Sequence, residues 1–368
     1  MSHSSLISRK KNSTTEVREQ RVREFQRRSE SFEETSRRFL HSRLSNDNLY
    51  TQKVGKKNLQ SQYEKIKESI GPIAGTDFQN IEYIAMSGNI DQIFFHNTRK
   101  ASIGIRYKNI NDNPFKKSNE LTFQIQNFLR SQDDRTKSSF LMFNDIVMAK
   151  EEIIATFPEE QNWKTLEDTI FKNVLTIPDF EPKTTILQLA EGAEYLNQMG
   201  VSHRYIRSNS ILINLFSKNV KISFFDCACV YWCVETRTPI LQNKGLTFDM
   251  HTSELDHLPP ECFQDSYDAT YIDSWSIGVL GCLLLSNAHP FNPLQSEKMY
   301  NDWLEWSERM SFPEEMRTFL DDVFQSYTNR MPLWEMLKDR RLTLSHKRAI
   351  LEPQESYVRI ESFMVSDF

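Results

Sequence analysis

Glycine is scarce, 10 in 368 residues, about 3% where ordinary chains carry ~7%. That leaves little scope for loops whose backbone closes directly on a ligand. No run of 18 apolar residues occurs, so no membrane-spanning helix is expected. The 5 cysteines are odd in number. Cys227, Cys229 and Cys233 lie close together, but no second Cys or His pair follows at zinc-finger spacing. Buried free thiols in a reducing compartment are expected, rather than a metal site or a disulfide framework. Met1 to Leu6 leads into polar sequence, so no secretory signal is expected. These absences together predict a soluble intracellular protein, cytoplasmic with the nucleus as a second compartment.

The chain is long enough for one large two-lobed domain or two ordinary ones, and 39% hydrophobic residues suffice for a real core. The net charge of -5 gives no reason to expect a nucleic-acid partner for the chain as a whole. Its distribution is uneven. Residues 1–60 hold 14 Lys/Arg against 7 Asp/Glu, or +7, so the remaining 308 residues carry -12. Residues 1–76 are too polar to offset their ordering entropy and are expected to form a disordered basic arm, with a transient charged helix over 15–43. Arg9-Lys10-Lys11 and Arg37-Arg38 suit nuclear import or an acidic partner; a solvated tail is the simpler reading.

From Phe78 the texture changes. Ile81 to Ile84 and Ile93 to Phe95 read as strands around a turn at Gly88, and Ala101 to Arg106 as the next. Ser118 to Arg130 places Leu121, Ile125, Phe128 and Leu129 on one helical face. Phe140 to Thr156 supplies two more apolar strands, and strand patterning stops at Pro158-Glu159-Glu160. Residues 163–200 are helical in pattern, ending at Gly200, a helix stop. Val220 to Ser223 is a short strand.

The segment between Gly200 and that strand carries the chemistry. His203-Arg204-Tyr205-Ile206-Arg207-Ser208-Asn209-Ser210-Ile211-Leu212 resembles the protein-kinase catalytic loop, H-R-D-L-x-x-x-N. The resemblance keeps His203, Arg204 and the apolar close. It loses the chemical residues: the base Asp is Tyr205, the Lys is Arg207 and the metal-binding Asn is Ser210. The landmarks that should flank such a loop are present in order. Phe224-Phe225-Asp226 stands where the family has D-F-G, with Phe224 at the metal-binding Asp. A one-residue slip would make Asp226 the ligand instead. Pro259-Pro260-Glu261 matches A-P-E, 37 residues after Phe224, which makes a long activation segment. Asp273-Ser274-Trp275-Ser276-Ile277-Gly278-Val279 matches D-x-W-S-x-G-V, and Arg330 to Leu337 the R-x-x-x-x-E-L-L segment.

The resemblance implies an α+β, two-lobed protein-kinase fold over 77–341: an N-lobe of antiparallel sheet plus helix C (77–158), a mostly helical C-lobe (159–341), then a tail (342–368). It implies that Glu261 pairs with Arg330 inside the lower lobe and that Asp273 accepts hydrogen bonds from the catalytic-loop backbone. The glycine loop is eroded. Met86 to Ile93 keeps Gly88 but places Met86 and Asp91 where phosphates would approach, and the third-strand Lys is Arg106. Glu120 or Gln124 falls near the helix C ion-pair Glu. Gly88 and Arg106 are at most a vestigial nucleotide pocket, so no cofactor is expected, or ATP bound without Mg²⁺.

Met199-Gly200, Ser208, Ile211 to Ile213, Arg106, the long activation segment and Tyr267-Asp268-Ala269 are similar to the STRAD adaptor pseudokinases. Tyr205, Phe224-Phe225-Asp226, the eroded glycine loop and the ending Val365 to Phe368 depart from them. The likeness implies an allosteric adaptor for a client serine/threonine kinase, locked by a helical-repeat scaffold protein. Tyr231, Trp232 and Phe248, read as exposed, are the expected partner anchors. Two rivals remain: a Tribbles-like scaffold, and a true phosphotransferase using Asp226 for metal, Asn209 or Asn214 for the lost Asn, and Lys108 for Arg106.

Overall fold

The structure is a computed structural model that describes residues 34–40, 90–94, 103–107, 116–142, 145–148, 153–157, 163–171, 180–233, 236–243, 255–310 and 312–343. Helix α1 covers 34–40. An antiparallel sheet of order β1-β2-β4-β3 follows, built from β1 (Ile90–Phe94), β2 (Ile103–Tyr107), β3 (Asp145–Met148) and β4 (Ile153–Phe157). In β2, Arg106 stands opposite Gln92 on one side and Ile154 on the other.

Helix α2 (Lys116–Arg130) interrupts the strands. Leu121, Ile125, Phe128 and Leu129, the face predicted from spacing, are all buried in the main core. Asp133 caps the short α3 (Asp134–Ser138) by accepting from the Thr136 amide at 2.8 Å. The chain then clasps the next layer: the Leu141 amide donates to the Ile222 carbonyl at 2.9 Å, and the Ile222 amide to Ser139 at 2.9 Å.

The second part is mainly helical. Strand β5 (Trp163–Thr165) leads into α4 (Leu166–Phe171). The helical reading of 163–200 therefore fails at its start. Trp163 to Thr165 pair with β7 (Ile211–Asn214), and Lys221 of β8 (Val220–Ile222) sits over the Trp163 ring at 4.7 Å. A tertiary pairing overrides the local pattern there. Helix α5 (Pro182–Gln198) runs to Gly200, and β6 (Val201–Ser202) follows. After a 3-10 turn at Phe225–Cys227 come β9 (Cys229–Val230), β10 (Trp232–Cys233), β11 (Thr238–Pro239) and β12 (Gln242–Asn243).

Strand β12 pairs with β13 (Ser266–Tyr267). Helix α6 (Ile272–Ser286) is buried nearly all round. A Cβ at Gly278 would lie 2.6 Å from Val323, so only glycine lets α6 approach α8 (Glu314–Val323) this closely. Helices α7 (Met299–Arg309) and α9 (Leu333–Met336) complete the layer, with Trp275, Trp303, Phe291 and Phe324 in mutual ring contact. No helix among the described residues is long and apolar enough to cross a membrane. All five cysteines are free; Cys227, Cys229, Cys262 and Cys282 are buried and Cys233 is half-buried.

Residues 34–40, within the stretch expected as a transient charged helix in a mostly disordered arm, are helical, with Ser36 and Phe39 1% and 0% exposed. The polar sequence carries the sign of the helix but not of their burial.

Candidate functional site

The site is the loop between β6 and β7, and Asp273 in the first turn of α6 shapes it. One Asp273 carboxylate oxygen accepts from the Ser202 hydroxyl at 3.1 Å and the His203 amide at 2.8 Å. The other accepts from the Arg204 amide at 2.9 Å. These bonds hold Arg204 in the left-handed region at φ 59, a conformation that costs a non-glycine residue ~1–3 kcal/mol.

His203 is fully buried. Its Nδ1 accepts from the Tyr205 amide at 3.2 Å, so its Nε2 carries the proton and donates to the Ser223 carbonyl at 3.0 Å. Burial drives its pKa down to about 3, so the ring is neutral. The Arg204 guanidinium donates to the Cys227 carbonyl at 2.6 Å and the Tyr267 hydroxyl at 2.9 Å.

Tyr205, which the resemblance puts at the position of the catalytic base, is 0% exposed. Its hydroxyl accepts from Arg207 and from Asn209, each at 3.3 Å. Burial pushes its pKa up to about 12, so at neutral pH it is a protonated phenol whose oxygen already accepts twice. Arg207 is pinned to Asp256, Nε to Oδ1 at 3.3 Å, with both side chains 14% exposed. Burial raises the Asp256 pKa, but hydrogen bonding with His257 and the Arg207 and His289 charges outweigh it and leave it below the usual range.

Ser210 is also 0% exposed. Its hydroxyl donates to the Tyr205 carbonyl at 2.5 Å and accepts from the Arg207 amide at 3.0 Å. The Ser223 amide and hydroxyl both donate to the Ser210 carbonyl, at 3.0 and 2.7 Å, which brings the 224 position beside it. Phe224 adopts φ 62 and is buried, and Phe225 packs edge-on to His203 at 5.3 Å and against Phe140 at 6.0 Å.

The two positions to which the resemblance assigns Mg²⁺ therefore offer a hydroxyl engaged in closing its own loop and an apolar ring. They do not fit the ion. Among the described residues, no group of three His, Cys, Asp or Glu could hold a metal. Of the substitutes weighed for the lost Asn, Asn209 donates its amide to Tyr205, and Asn214 accepts the Phe216 and Ser217 amides at 2.9 Å in a turn. Gln124 of α2 is buried. Met86, Gly88, Lys108, Phe248 and the side chains of Asp91, Arg106, Glu120 and Asp226 lie outside the described residues.

The structure brings Glu261 and Arg330 together in a bidentate pair at 2.5 and 3.0 Å, with the Arg330 side chain fully buried over the Trp275 ring. It does not present Tyr231 and Trp232 as exposed anchors. Tyr231 is 0% exposed and donates to the Asn197 carbonyl at 3.0 Å; Trp232 is 5% exposed in a cluster with Leu255, Leu258, Cys262 and Tyr267. Aromatics in a long loop looked exposed because the loop folds back on its own domain. Among the described residues of that segment, the exposed large apolar ones are Ile240 at 41% and Leu241 at 62%.

Sequence reasoning also missed Asp256 and His257. His257 Nε2 bonds the Arg204 carbonyl at 2.9 Å and its ring meets Tyr205 edge-on at 5.3 Å. An acid-imidazole pair just before Pro259-Pro260-Glu261 was the available signal, since a buried Arg at 207 needs a counter-charge.

The family model described as protein kinase domain matches residues 108–341, more than half of the chain. The match begins two residues past Arg106. Similar proteins include serine/threonine-protein kinase grp of Drosophila melanogaster, 29% identical over 128 residues, covering 34% of this chain and 23% of that protein. Aurora kinase C of Mus musculus is 33% identical over 117 residues, covering 32% of this chain and 38% of that protein. The similarity thus spans well under half the length of either relative.

Proposed function

Because the chain belongs to the protein kinase domain family, we propose that it uses the fold as a binding adaptor and not as a phosphotransferase. The observation that carries this reading is Tyr205. A general base must hold a free lone pair near the operating pH, and this residue is a buried phenol with a pKa near 12 and two donors on its oxygen. Ser210 and Phe224 add support, because neither offers a metal ligand. The packing of Phe225 on His203 and Phe140 supports the register that places Phe224 at the metal-binding position, rather than the slip to Asp226.

The function of such a chain is a coupling free energy: it favours whichever client conformation it binds better. The likeness to STRAD adaptors makes the client a serine/threonine kinase, with a helical-repeat scaffold as third partner, and a cytoplasmic or nuclear complex. With Tyr231 and Trp232 buried, the exposed Ile240 and Leu241 are the candidates we propose for the client contact in the same segment.

A thermal-shift titration with ATP, with and without Mg²⁺, tests the chemistry. A ligand at 100 times its Kd stabilises by ~2.7 kcal/mol, so a Mg²⁺-dependent rise would be plain. The expected outcome is no such rise and no phosphate transfer to the chain itself or to a general substrate. Transfer abolished by Asp226→Ala would overturn the reading.

A further inference from the structure

We propose that Asp256 is a two-position carboxylate, held by Arg207 while His257 is neutral and drawn to His257 when that ring takes a proton, so that acidification changes how the end of the activation segment is tied to the catalytic loop. The surroundings of His257 carry the inference. Its ring is 2% exposed, and both of its nitrogens face oxygen acceptors. Nε2 lies 2.9 Å from the Arg204 carbonyl. A carbonyl only accepts, so Nε2 carries the proton of the neutral ring. Nδ1 then turns its lone pair towards Asp256 Oδ1, 3.8 Å away, and no described residue donates to it. Two buried acceptors set face to face are unfavourable. One proton on Nδ1 replaces that contact with a charge-assisted hydrogen bond.

Asp256 is placed to respond. Arg207 Nε stands 3.3 Å from its Oδ1, while Arg207 Nη2 at 3.5 Å and His289 Nε2 at 3.4 Å face its Oδ2. Strong charge-assisted bonds to a carboxylate run at about 2.7–2.9 Å. The carboxylate therefore sits between its partners at the best distance of none of them. Closing the gap to His257 takes a shift of about 1 Å, and that shift draws Oδ1 away from Arg207 Nε.

The charges around the ring set the direction. From the catalytic loop, Arg207 opposes a proton on His257, and buried His203 and His257 repel each other when charged. From the same loop, Tyr205 offers only the edge-on contact of its ring. From α6, the Ser276 hydroxyl donates to the His257 carbonyl at 3.0 Å, which pins the backbone and leaves the ring nitrogens untouched. Glu167 of α4 acts on Arg207 and Asp256. The carboxylate that favours the proton is Asp256 itself. Burial outweighs it, so the ring titrates below 6.5. Acid therefore costs stability overall, because the unfolded chain takes the proton first, while within the fold it moves the carboxylate.

The exchange belongs to the chain itself and stands whether or not a client kinase binds. Nuclear magnetic resonance on the full-length chain, labelled with ¹⁵N-histidine, ¹⁵N-arginine and ¹³C-aspartate, tests it by titration from neutral pH down to the onset of unfolding. His257→Gln and Asp256→Asn assign the signals. His257 Nδ1 should move to its protonated position, and Asp256 Cγ and Arg207 Nε should shift with the same midpoint, while the amides of 272–286 stay native. Asp256→Asn should lower the His257 midpoint by at least one pH unit, a tenfold loss of proton affinity, and His289→Gln should leave it in place. Protonation of His257 only as the 272–286 amides lose their native signals would overturn the proposal. So would a His257 step that leaves Asp256 Cγ and Arg207 Nε unmoved, or a midpoint indifferent to Asp256→Asn. Should Asp256→Asn fail to fold, the parent titration decides alone.

Discussion

Truncating Trp232 to Ala separates a core residue from an interface anchor. The indole is 5% exposed among Cys229, Tyr231, Leu255, Leu258, Cys262 and Tyr267. Removing a buried Trp costs about 3–5 kcal/mol. For a domain of this size each kcal/mol moves Tm by about 2–4 °C, so a fall of about 6–20 °C is expected. Leu241 of the same segment is 62% exposed, and Leu241→Ala should stay within about 0.5 kcal/mol, or about 2 °C. Scanning fluorimetry and urea unfolding read the stabilities; co-precipitation with a client kinase reads the binding. The expected pattern is that Trp232→Ala loses stability first and capture as a consequence, while Leu241→Ala keeps its Tm and captures less. A Trp232→Ala chain that melts within 2 °C of the parent would refute the burial argument. A Leu241→Ala chain that captures normally would remove Leu241 from the interface.

Glu261→Ala strands the fully buried Arg330 guanidinium, and breaking such a pair costs about 3–5 kcal/mol; a urea midpoint unchanged from the parent would contradict this. Tyr205→Asp restores a carboxylate at the base position but should give no detectable transfer of labelled phosphate, since Ser210 and Phe224 still offer no metal ligand; autophosphorylation gained by this one change would show that another group holds Mg²⁺. His203 titrates near 3 in the fold against 6.5 when unfolded. Between those values the unfolded chain binds the extra proton, so stability rises with pH and is lost on acidification, by up to about 1.4 kcal/mol per pH unit. His203→Gln, which can still donate to Ser223, should flatten the urea midpoint plotted against pH between 6.5 and 4, while buried His257, also lowered, keeps its share of the slope; parallel curves for parent and variant would refute the assignment.

What was legible in the sequence followed periodicity and spacing. The α2 face from Leu121 to Leu129, the end of α5 near Gly200 and the order of landmarks from His203 to Arg330 all depend on local pattern, which one chain displays directly. The misses depended on long-range partners. Trp163 reads as helical until β7 pairs with it. Tyr231 and Trp232 read as exposed until Leu255 and Tyr267 close over them. Phe39 lies among charged residues, and the core it enters is built by residues far along the chain, such as Phe128, 89 positions away. Asp256 carries no pattern at all; its role appears only once Arg207 is buried and needs a partner.

The strain at Arg204 bears on what the loop is for. A left-handed non-glycine residue persists only where its surroundings impose it, and here three bonds to the buried Asp273 carboxylate impose it. In a catalyst this geometry would aim a base. Here the residue that follows is Tyr205, a buried phenol. The geometry aims the Arg204 guanidinium at the Cys227 carbonyl and the Tyr267 hydroxyl, and the Arg204 carbonyl at His257. Arg207, one turn of loop further on, reaches Asp256. Cys227, Asp256 and His257 belong to the activation segment, and Tyr267 follows it. The loop thus bonds the described parts of that segment near its start, at Cys227, and near its end, at Asp256 and His257. An adaptor needs such a fixed edge more than it needs a nucleophile's proton acceptor, because a pre-ordered surface lowers the entropic cost of binding its partner. On the adaptor reading proposed above, the bonds that would orient a base in a catalyst orient a surface instead.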